Sequence, residues 1–292
     1  MKVFLTGATG FIGAAVIAEL QQAGHTVLGL TRSEEGANYL RATGVDPHYG
    51  NLEDSLRSGV AQSDGVIHCG FNHDFSKMLQ NCENDRLAII AMGEVLAGSE
   101  RPMVISSSVG LGAASPGDVA TEDFFDPDTP RPRKASEIGG RAAAKLGAKV
   151  IVVRLPQVHD PVKQGLITYF VAIDREKGLS AYVGDGTNRW AAAHVSDVAR
   201  LYRLALEKGE AGAVYNAVAE EGIMFREVAE VIGRGMKVPV KSVSGDEATA
   251  HFGWMMMFAG LDLQASSKLT QQRLGWTPTG PGLIADLEAM TY

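Results

Sequence analysis

The feature that most constrains the fold of this chain is a short apolar run followed at once by a glycine-rich turn. Residues 3–5 are all apolar, and such a run is typical of a buried parallel strand. Gly7, Gly10 and Gly13 then recur at intervals of three, and residues 11–20 carry apolar side chains at helical spacing. A strand, a glycine-rich turn and a helix in this order are typical of the first turn of a dinucleotide-binding βαβ unit.

Each glycine of this turn has a steric role in that interpretation. Gly7 allows the tight turn, Gly10 lets the backbone approach a pyrophosphate, and Gly13 lets the helix lie close to the strand. The helix N-terminus adds free N–H groups and a partial positive charge. An ordinary strand–turn–helix connection would explain the glycines alone, so the prediction depends on the strand before them and the helix after them. The residues of this turn that we expect at the cofactor are Gly7, Thr9, Gly10, Phe11, Ile12 and Gly13.

The bulk composition narrows the class of protein without indicating its chemistry. The 292 residues are 45% hydrophobic and carry a net charge of −7, which allows a sizeable core and disfavours a nucleic-acid partner. No apolar stretch reaches the ~18 residues of a membrane-spanning helix, and we expect no cleaved leader, because the first residues already have the pattern of a strand. Two cysteines, Cys69 and Cys82, suit a reducing compartment. We therefore expect a cytoplasmic protein, and no metal site, because no recognised ligand spacing occurs.

The second strand ends without the acidic residue that NAD-binding folds commonly place there. Arg32 and Ser33 follow it instead. A guanidinium forms charge-assisted bonds with phosphate oxygens, and a neighbouring hydroxyl can add another. This pair favours NADP, with its 2′-phosphate, over NAD, although a solvated loop arginine would look the same in the sequence.

Several segments resemble one superfamily over nearly the whole chain. TGATGFIG at residues 6–13 is similar to the TGxxGxxG motif of the extended short-chain dehydrogenases/reductases. DGVIHC (64–69), SSSVGLG (106–112) and GDGTNRWAAAHVSDVA (184–199) are similar to later motifs of the same superfamily. The resemblance implies that further residues line the cofactor, namely Asn51, Leu52, Gly70, Phe71, Pro156 and Val158.

The same resemblance gives Ser107 the position of the family's catalytic serine or threonine, where a hydroxyl can hydrogen-bond a substrate carbonyl. The family's tyrosine–lysine pair should lie within residues 128–133, but that stretch reads DTPRPR. No tyrosine occurs between Val109 and Val158. In this respect the chain resembles the atypical extended branch of the superfamily, which keeps the glycine motif without the usual catalytic residues.

The proton for a reduction could then come from another group, or the reaction could be a hydride transfer that needs little proton assistance, for instance to a quinone, an activated alkene or an imine. His73 follows a strand at the edge where open parallel sheets bind ligands, so it is our first candidate, although a solvated surface histidine is nearly as simple an explanation. Ser107 acting through water, Tyr169 and Tyr182 are the alternatives. The residues that we expect to face the substrate are Ser108, Arg189 and Trp190, the last as a flat stacking surface.

Several functional hypotheses remain open. The first is NADPH-dependent reduction of a small, hydrophobic carbonyl, enone, quinone or imine. The second is a non-catalytic NADPH-binding redox sensor. The third is a sugar-nucleotide epimerase or dehydratase, which the missing tyrosine disfavours. Residues 254–259 (WMMMFA) predict either a buried helix or an adaptable apolar wall of a substrate pocket.

The predicted fold is α/β, a doubly wound parallel Rossmann sheet with a smaller C-terminal substrate-binding cap. We expect residues 1–160 to form the dinucleotide-binding domain, with 189–218 returning to it, and residues 161–292 to form mainly the cap. The ligand cleft would lie between them. Homodimers are common in the resembled superfamily, so a homodimer is an open alternative that no residue pattern here indicates.

Overall fold

The computed structural model describes residues 1–52 and 55–292, which form an α/β protein. The strands, in chain order, are β1 (Lys2–Thr6), β2 (Thr26–Thr31), β3 (Asp46–Tyr49), β4 (Gly65–His68), β5 (Pro102–Ser108), β6 (Lys149–Leu155), β7 (Gln157–His159), β8 (Ser180–Val183), β9 (Arg189–His194), β10 (Val214–Asn216), β11 (Glu220–Met224) and β12 (Val240–Val243). The helices are α1 (Phe11–Gln22), α2 (Glu34–Ala42), α3 (Leu56–Ala61), α4 (Met78–Leu96), α5 (Lys134–Lys145), α6 (Ile167–Lys177), α7 (Val195–Lys208), α8 (Phe225–Met236), α9 (Gly245–Phe252), α10 (Met256–Ala259), α11 (Lys268–Leu274) and α12 (Leu283–Ala289). None of the helices within the described ranges is long and apolar enough to span a bilayer.

Seven strands form the central sheet in the order β3–β2–β1–β4–β5–β6–β10, and every neighbouring pair is parallel. Helices α1 and α7 pack together on one face, and α3, α4 and α5 cover the other. The strand order reverses between β1 and β4, so the carboxyl ends of these two strands flank the crevice where doubly wound sheets bind ligands. The predicted doubly wound fold is confirmed.

The central strands are continuously apolar because helices cover both faces of the sheet. In β1, Val3 and Leu5 lie in the core with α1 and α7, whereas Phe4 lies with α3 and α4 on the opposite face. Each of these side chains is fully removed from water, which contributes about 1.5–3 kcal/mol apiece. The glycine turn therefore begins from one of the most deeply buried strands.

A second apolar core lies in the part of the chain after β7. Phe170 of α6, Trp190 of β9, Phe225 of α8 and Phe252 of α9 pack ring against ring. The chain re-enters the larger core through α7 and β10, and again at Leu274. We therefore propose that the cap comprises most, but not all, of the chain after β7.

A buried histidine joins β7 to α12. His159 is fully buried, and its Nδ1 lies 2.6 Å from Oδ2 of Asp286. Glu220 and His194 lie beside the same ring. Burial lowers the pKa of His159, although the two carboxylates oppose that shift. The ring is therefore neutral in the folded protein at pH values where an unfolded chain already binds a proton.

We expect the free energy of unfolding to fall as the pH drops below ~6.5, because the unfolded chain then binds a proton at His159 that the folded protein resists. One such group contributes a slope of at most about 1.4 kcal/mol per pH unit. Urea unfolding at about pH 7.5 and about pH 5.5 measures this dependence. A His159→Gln variant should lose the share of this pH dependence that comes from His159. An identical slope in the variant would contradict the assignment of the pH dependence to His159.

Candidate active site

The glycine turn lies between the ends of β1 and β4 and has no room for a side chain at two positions. Gly7 has a φ of 69°, and a Cβ there would lie 2.8 Å from the backbone of Cys69 and Gly70. A Cβ at Gly13 would overlap the carbonyl oxygen of Gly7. Gly10 is the N-cap of α1, and no described side chain caps this helix end, so its first N–H groups are open to an anion. The turn fits a dinucleotide diphosphate.

A lysine that the sequence analysis missed lies beside this turn. Thr9 is exposed and Phe11 and Ile12 are half-buried, and Nζ of Lys163 lies 5.7 Å from the centre of the Phe11 ring. The carboxylate of Asp160 accepts the backbone N–H of Lys163 at 2.6 Å and so holds the backbone of the lysine in a turn. An aspartate commonly accepts backbone N–H groups in turns of this kind. Asp160, three residues before the lysine, was therefore the only sequence feature that could have indicated a fixed position for Lys163.

The residues predicted at the adenosine end lie at the carboxyl ends of β2 and β3. Arg32 is exposed and has no ion-pair partner among the described residues. The hydroxyl oxygen of Ser33 accepts the N–H of Gly36 at 3.1 Å and so caps α2. Asn51 and Leu52 follow β3 and are half-buried. All four remain proposed cofactor contacts.

Beneath the turn, a chain of buried hydrogen bonds joins β1, β4 and α4. The N–H of Gly70 donates to Oγ1 of Thr6 at 3.0 Å, and this hydroxyl lies 2.7 Å from Nδ1 of His68. Nε2 of His68 lies 3.0 Å from Oδ1 of Asp85. Burial alone would raise the pKa of Asp85, but the hydrogen bond with His68 and the charge of Arg133 hold it below its usual value. The network thus links the glycine turn to Arg133.

Arg133 lies in the segment where the family's tyrosine–lysine pair was expected. Directly before α5, its guanidinium donates to Oδ2 of Asp85 and to the carbonyl oxygen of Ser106, both at 3.1 Å. The guanidinium carbon lies 4.1 Å from the centre of the Phe71 ring, a cation–π contact. Arg133 therefore holds a positive charge at the carboxyl ends of β4 and β5.

The structure corrects the role predicted for Ser107. Its hydroxyl is buried and donates to Oε1 of Glu137 at 2.8 Å. Arg154 holds the same carboxylate through Nε at 2.8 Å and Nη2 at 2.9 Å. Because the only proton of the Ser107 hydroxyl is used in this bond, it is not directed at a substrate carbonyl. Ser108, which is half-buried at the end of β5, stays a proposed substrate contact.

Rings from the loop after β4 and from the cap meet in one cluster. Phe75 stacks on Trp254 at 5.1 Å between ring centres, and it contacts Tyr169 and Phe258 edge to face at 5.9 Å and 5.6 Å. We call these four residues the interdomain aromatic cluster. His73 adjoins it, 6.0 Å from Phe75. Trp254 remains 47% exposed, so the methionine-rich segment that carries it is not simply a buried helix.

His73 lies between this cluster and Phe71, whose ring centre is 5.3 Å away. Desolvation by its surroundings, followed by the charge of Arg133, lowers the pKa of His73. These two effects favour the neutral imidazole over the charged one. Its position supports a contact with substrate, whereas its charge state disfavours it as the proton donor.

Tyr169 and Tyr182 stay proposed alternatives for the proton donor. Tyr169 belongs to the interdomain aromatic cluster, and Tyr182 packs against the cap core. Tyr202 of α7 approaches the end of β5, where its hydroxyl lies 2.6 Å from Oγ of Ser106. It is fully buried, and burial raises the pKa of Tyr202 well above its usual value, so it retains its proton.

Arg189 and Trp190 are neighbours on β9 with different surroundings. Arg189 lines a cavity of about 580 Å³ together with Asn188 and Asp262, and its Nε is buried without a partner among the described residues. Trp190 is 2% exposed and donates from Nε1 to the carbonyl oxygen of Leu261 at 3.0 Å. The prediction that Trp190 offers a stacking surface is therefore wrong, whereas Arg189 stays a proposed substrate contact.

Pro156 and Val158 lie where β6 passes into β7. Pro156 is half-buried, and Val158 is buried. Close by in the chain, Oε1 of Gln157 and Oε1 of Gln164 are buried without a hydrogen-bond partner among the described residues. Buried acceptors of this kind are normally satisfied by protein groups or ordered water. Pro156 and Val158 remain proposed cofactor contacts.

Comparison with known proteins identifies the family. The model described as the NAD dependent epimerase/dehydratase family matches residues 3–218. The chain is 47% identical over 295 residues to an uncharacterized protein of Schizosaccharomyces pombe, covering 100% of both chains. It is 43% identical over 297 residues to an uncharacterized protein of Saccharomyces cerevisiae, covering 99% of this chain and 98% of the relative.

A solved structure supports the fold. The chain superposes with a TM-score of 0.77 on the UDP-glucuronic acid 4-epimerase of Bacillus cereus in complex with UDP-glucuronic acid and NAD. The superposition covers 100% of this chain and 98% of the epimerase at 17% sequence identity, which shows a shared fold alone. With three quarters of the chain matched by the family model, the protein belongs to the NAD dependent epimerase/dehydratase family.

Proposed function

We propose that the protein is an NADPH-dependent oxidoreductase that reduces a small, hydrophobic carbonyl, enone, quinone or imine. The observation that carries this proposal is the interdomain aromatic cluster, which continues through His73 to Phe71 in the loop after β4. Rings at the ligand-binding edge of the sheet favour a flat, apolar ligand. The hydroxyls and phosphates of a nucleotide sugar need polar partners, which these rings do not supply.

The residues at the crevice fit a nicotinamide dinucleotide. The glycine turn, the N-terminus of α1 and Lys163 would hold the diphosphate, and Arg32 and Ser33 would hold the 2′-phosphate of NADP. The preference for NADP over NAD rests on Arg32 and on the missing acidic residue after β2. The bound cofactor supplies the hydride, while the chain orients the substrate.

We expect the protein to oxidise NADPH in the presence of at least one compound from a panel of quinones, enones, imines and aldehydes. In an Arg32→Ala variant the Kd of NADPH should rise about tenfold, which is about 1.4 kcal/mol, because a charge-assisted bond to the 2′-phosphate is lost. The Kd of NADH should not change, because NADH has no phosphate at that position. Fluorescence titration with both cofactors measures these constants.

An Arg175→Ala variant is the matched control, because Arg175 is exposed on α6 and does not adjoin β2. Equal losses of NADPH affinity in the two variants would contradict the role given to Arg32. NADPH binding without turnover across the whole panel would favour the redox sensor. Conversion of a UDP-sugar with the cofactor regenerated would favour an epimerase.

A further inference from the structure

The guanidinium of Arg133 is well placed to meet a substrate oxygen beside the crevice. Its hydrogen bonds to Asp85 and to the carbonyl of Ser106 hold it from one side, and it covers the Phe71 ring. The side chain is 18% exposed, so it is neither free in solvent nor sealed in the core. Each terminal nitrogen makes one of these bonds, and an arginine carries two N–H groups on each. Cys82 also interacts with this guanidinium, so at least one of the remaining N–H groups can serve a ligand.

The ion pair with Asp85 does not fully neutralise the positive charge of Arg133. Asp85 is shared among Arg133, His68 and Ser136, so its negative charge is divided among three partners. On the open side, the same guanidinium helps to lower the pKa of His73. The field of Arg133 thus reaches the region where the loop after β4 meets the aromatic rings.

An arginine in this place performs different chemistry from a tyrosine. A tyrosine can give its proton to the oxygen of the reduced substrate, whereas a guanidinium stabilises negative charge and keeps its proton near neutrality. Hydride addition to a simple aldehyde forms a strongly basic alkoxide, which needs an acid at once. Hydride addition to a conjugated acceptor forms a delocalised anion, which a fixed cation can stabilise until water protonates it.

We propose that Arg133 is a catalytic residue that binds the oxygen of a conjugated carbonyl substrate, a quinone or an enone, and stabilises the anion formed by hydride transfer. This inference rests on the proposed function and narrows its substrate class. The rings of Phe71 and Phe75 would contact the flat face of that substrate. The class disfavours simple aldehydes as substrates, because the guanidinium of Arg133 keeps its proton near neutrality and does not protonate an alkoxide.

The electrons and protons of this step balance without a further reagent. In an enone, the β-carbon accepts a hydride from NADPH, the pair of the C=C π bond forms a double bond between the α-carbon and the carbonyl carbon, and the pair of the C=O π bond moves onto the oxygen bound by Arg133. A proton from water then forms the new C–H bond at the α-carbon. In a quinone, the same two-electron transfer forms a hydroquinone anion, which water protonates on oxygen. In both cases NADPH is oxidised to NADP⁺.

Binding of 4-nitrophenol, a flat phenol whose anion absorbs visible light, tests this inference without cofactor or turnover. In the wild-type protein we expect the bound phenol to ionise about tenfold more readily than the free phenol, because a cation nearby favours the phenolate. An Arg133→Gln variant should lose this shift. An Arg133→Lys variant should keep part of it, because it retains the charge without the planar fork. Arg141→Gln is the matched control, since Arg141 is exposed on α5, the helix that follows Arg133, and covers Phe125.

The spectral titration decides the inference even where a variant is unstable. A wild-type protein that leaves the ionisation of bound 4-nitrophenol unchanged or suppresses it would overturn the proposal, as would a folded Arg133→Gln variant with the full shift. Circular dichroism establishes which variants fold. If a quinone is turned over, kcat/KM for it should fall about 100-fold in Arg133→Gln. NADPH titration of the same samples separates the proposed function from the role proposed for Arg133. Failure to bind NADPH overturns the proposed function, whereas the phenolate result stands by itself.

Discussion

A Gly13→Ala variant is expected to bind NADPH about 100-fold more weakly than the wild-type protein, a loss of about 2.7 kcal/mol. A Cβ at Gly13 would overlap the carbonyl oxygen of Gly7 and lie 2.8 Å from its carbonyl carbon. Both atoms belong to the backbone, so the overlap is relieved only by moving the turn or α1. Such overpacking also lowers the free energy of unfolding by about 1–3 kcal/mol. Displacement of the turn would remove the N–H groups from the diphosphate.

Gly260→Ala is the matched control for this substitution. A Cβ at Gly260 meets no described atom within 4 Å, and the residue has no left-handed backbone conformation. The NADPH affinity and the urea midpoint of the Gly260→Ala variant should match those of the wild-type protein. Fluorescence titration and urea unfolding measure the two quantities. An unchanged Kd for NADPH in folded Gly13→Ala would show that the turn does not hold the diphosphate.

The second large effect concerns a buried ion pair behind the end of β5. An Arg154→Met variant should lose about 3–5 kcal/mol of unfolding free energy, because it leaves the carboxylate of Glu137 buried without its cation. Arg154 is 0% exposed, and besides Glu137 it donates to the carbonyl oxygens of Thr121 and Phe124 at 2.9 Å each. The substitution therefore also releases the loop that leads to Arg133. Urea unfolding measures the loss.

The double variant Arg154→Met/Glu137→Leu separates the charge from the packing. Removing both partners leaves no uncompensated carboxylate, so the double variant should recover part of the loss. Arg226→Met is the surface control, because the exposed Arg226 lies 3.9 Å from Glu230 and such pairs contribute about 0–1 kcal/mol. A loss in Arg154→Met no larger than in this control would contradict the buried-pair assignment.

Local patterns were sufficient for the predicted fold. The run through β1 is apolar on both faces, and that property alone indicates a strand covered by helices on both sides. The strand ending at Thr31 and the one ending at Leu155 carry the same signal, and both lie in the parallel sheet. Each of these features depends on residues adjacent in the chain, so the sequence displays them directly.

The two corrections have physical causes that no alignment of motifs contains. Ser107 stands at the expected strand end, but Glu137 from α5 accepts its proton. Trp190 follows Arg189 in a strand, where successive side chains point to opposite faces. With Arg189 on the cavity side, Trp190 must face the cap core. A linear motif records which residues are neighbours, but it does not record which face each one occupies.

The sequence by itself determined the parallel strands, the glycine turn and the helix that follows it, because glycine sterics and apolar periodicity act over a few consecutive residues. Only the tertiary structure decided which charged group lies at the ends of β4 and β5 and which rings surround it. Arg133 meets Phe71 and Asp85, and Phe75 meets Trp254, through the packing of segments far apart in the chain. Contacts of that kind leave no period or spacing in the sequence, because they depend on how whole helices and loops are placed.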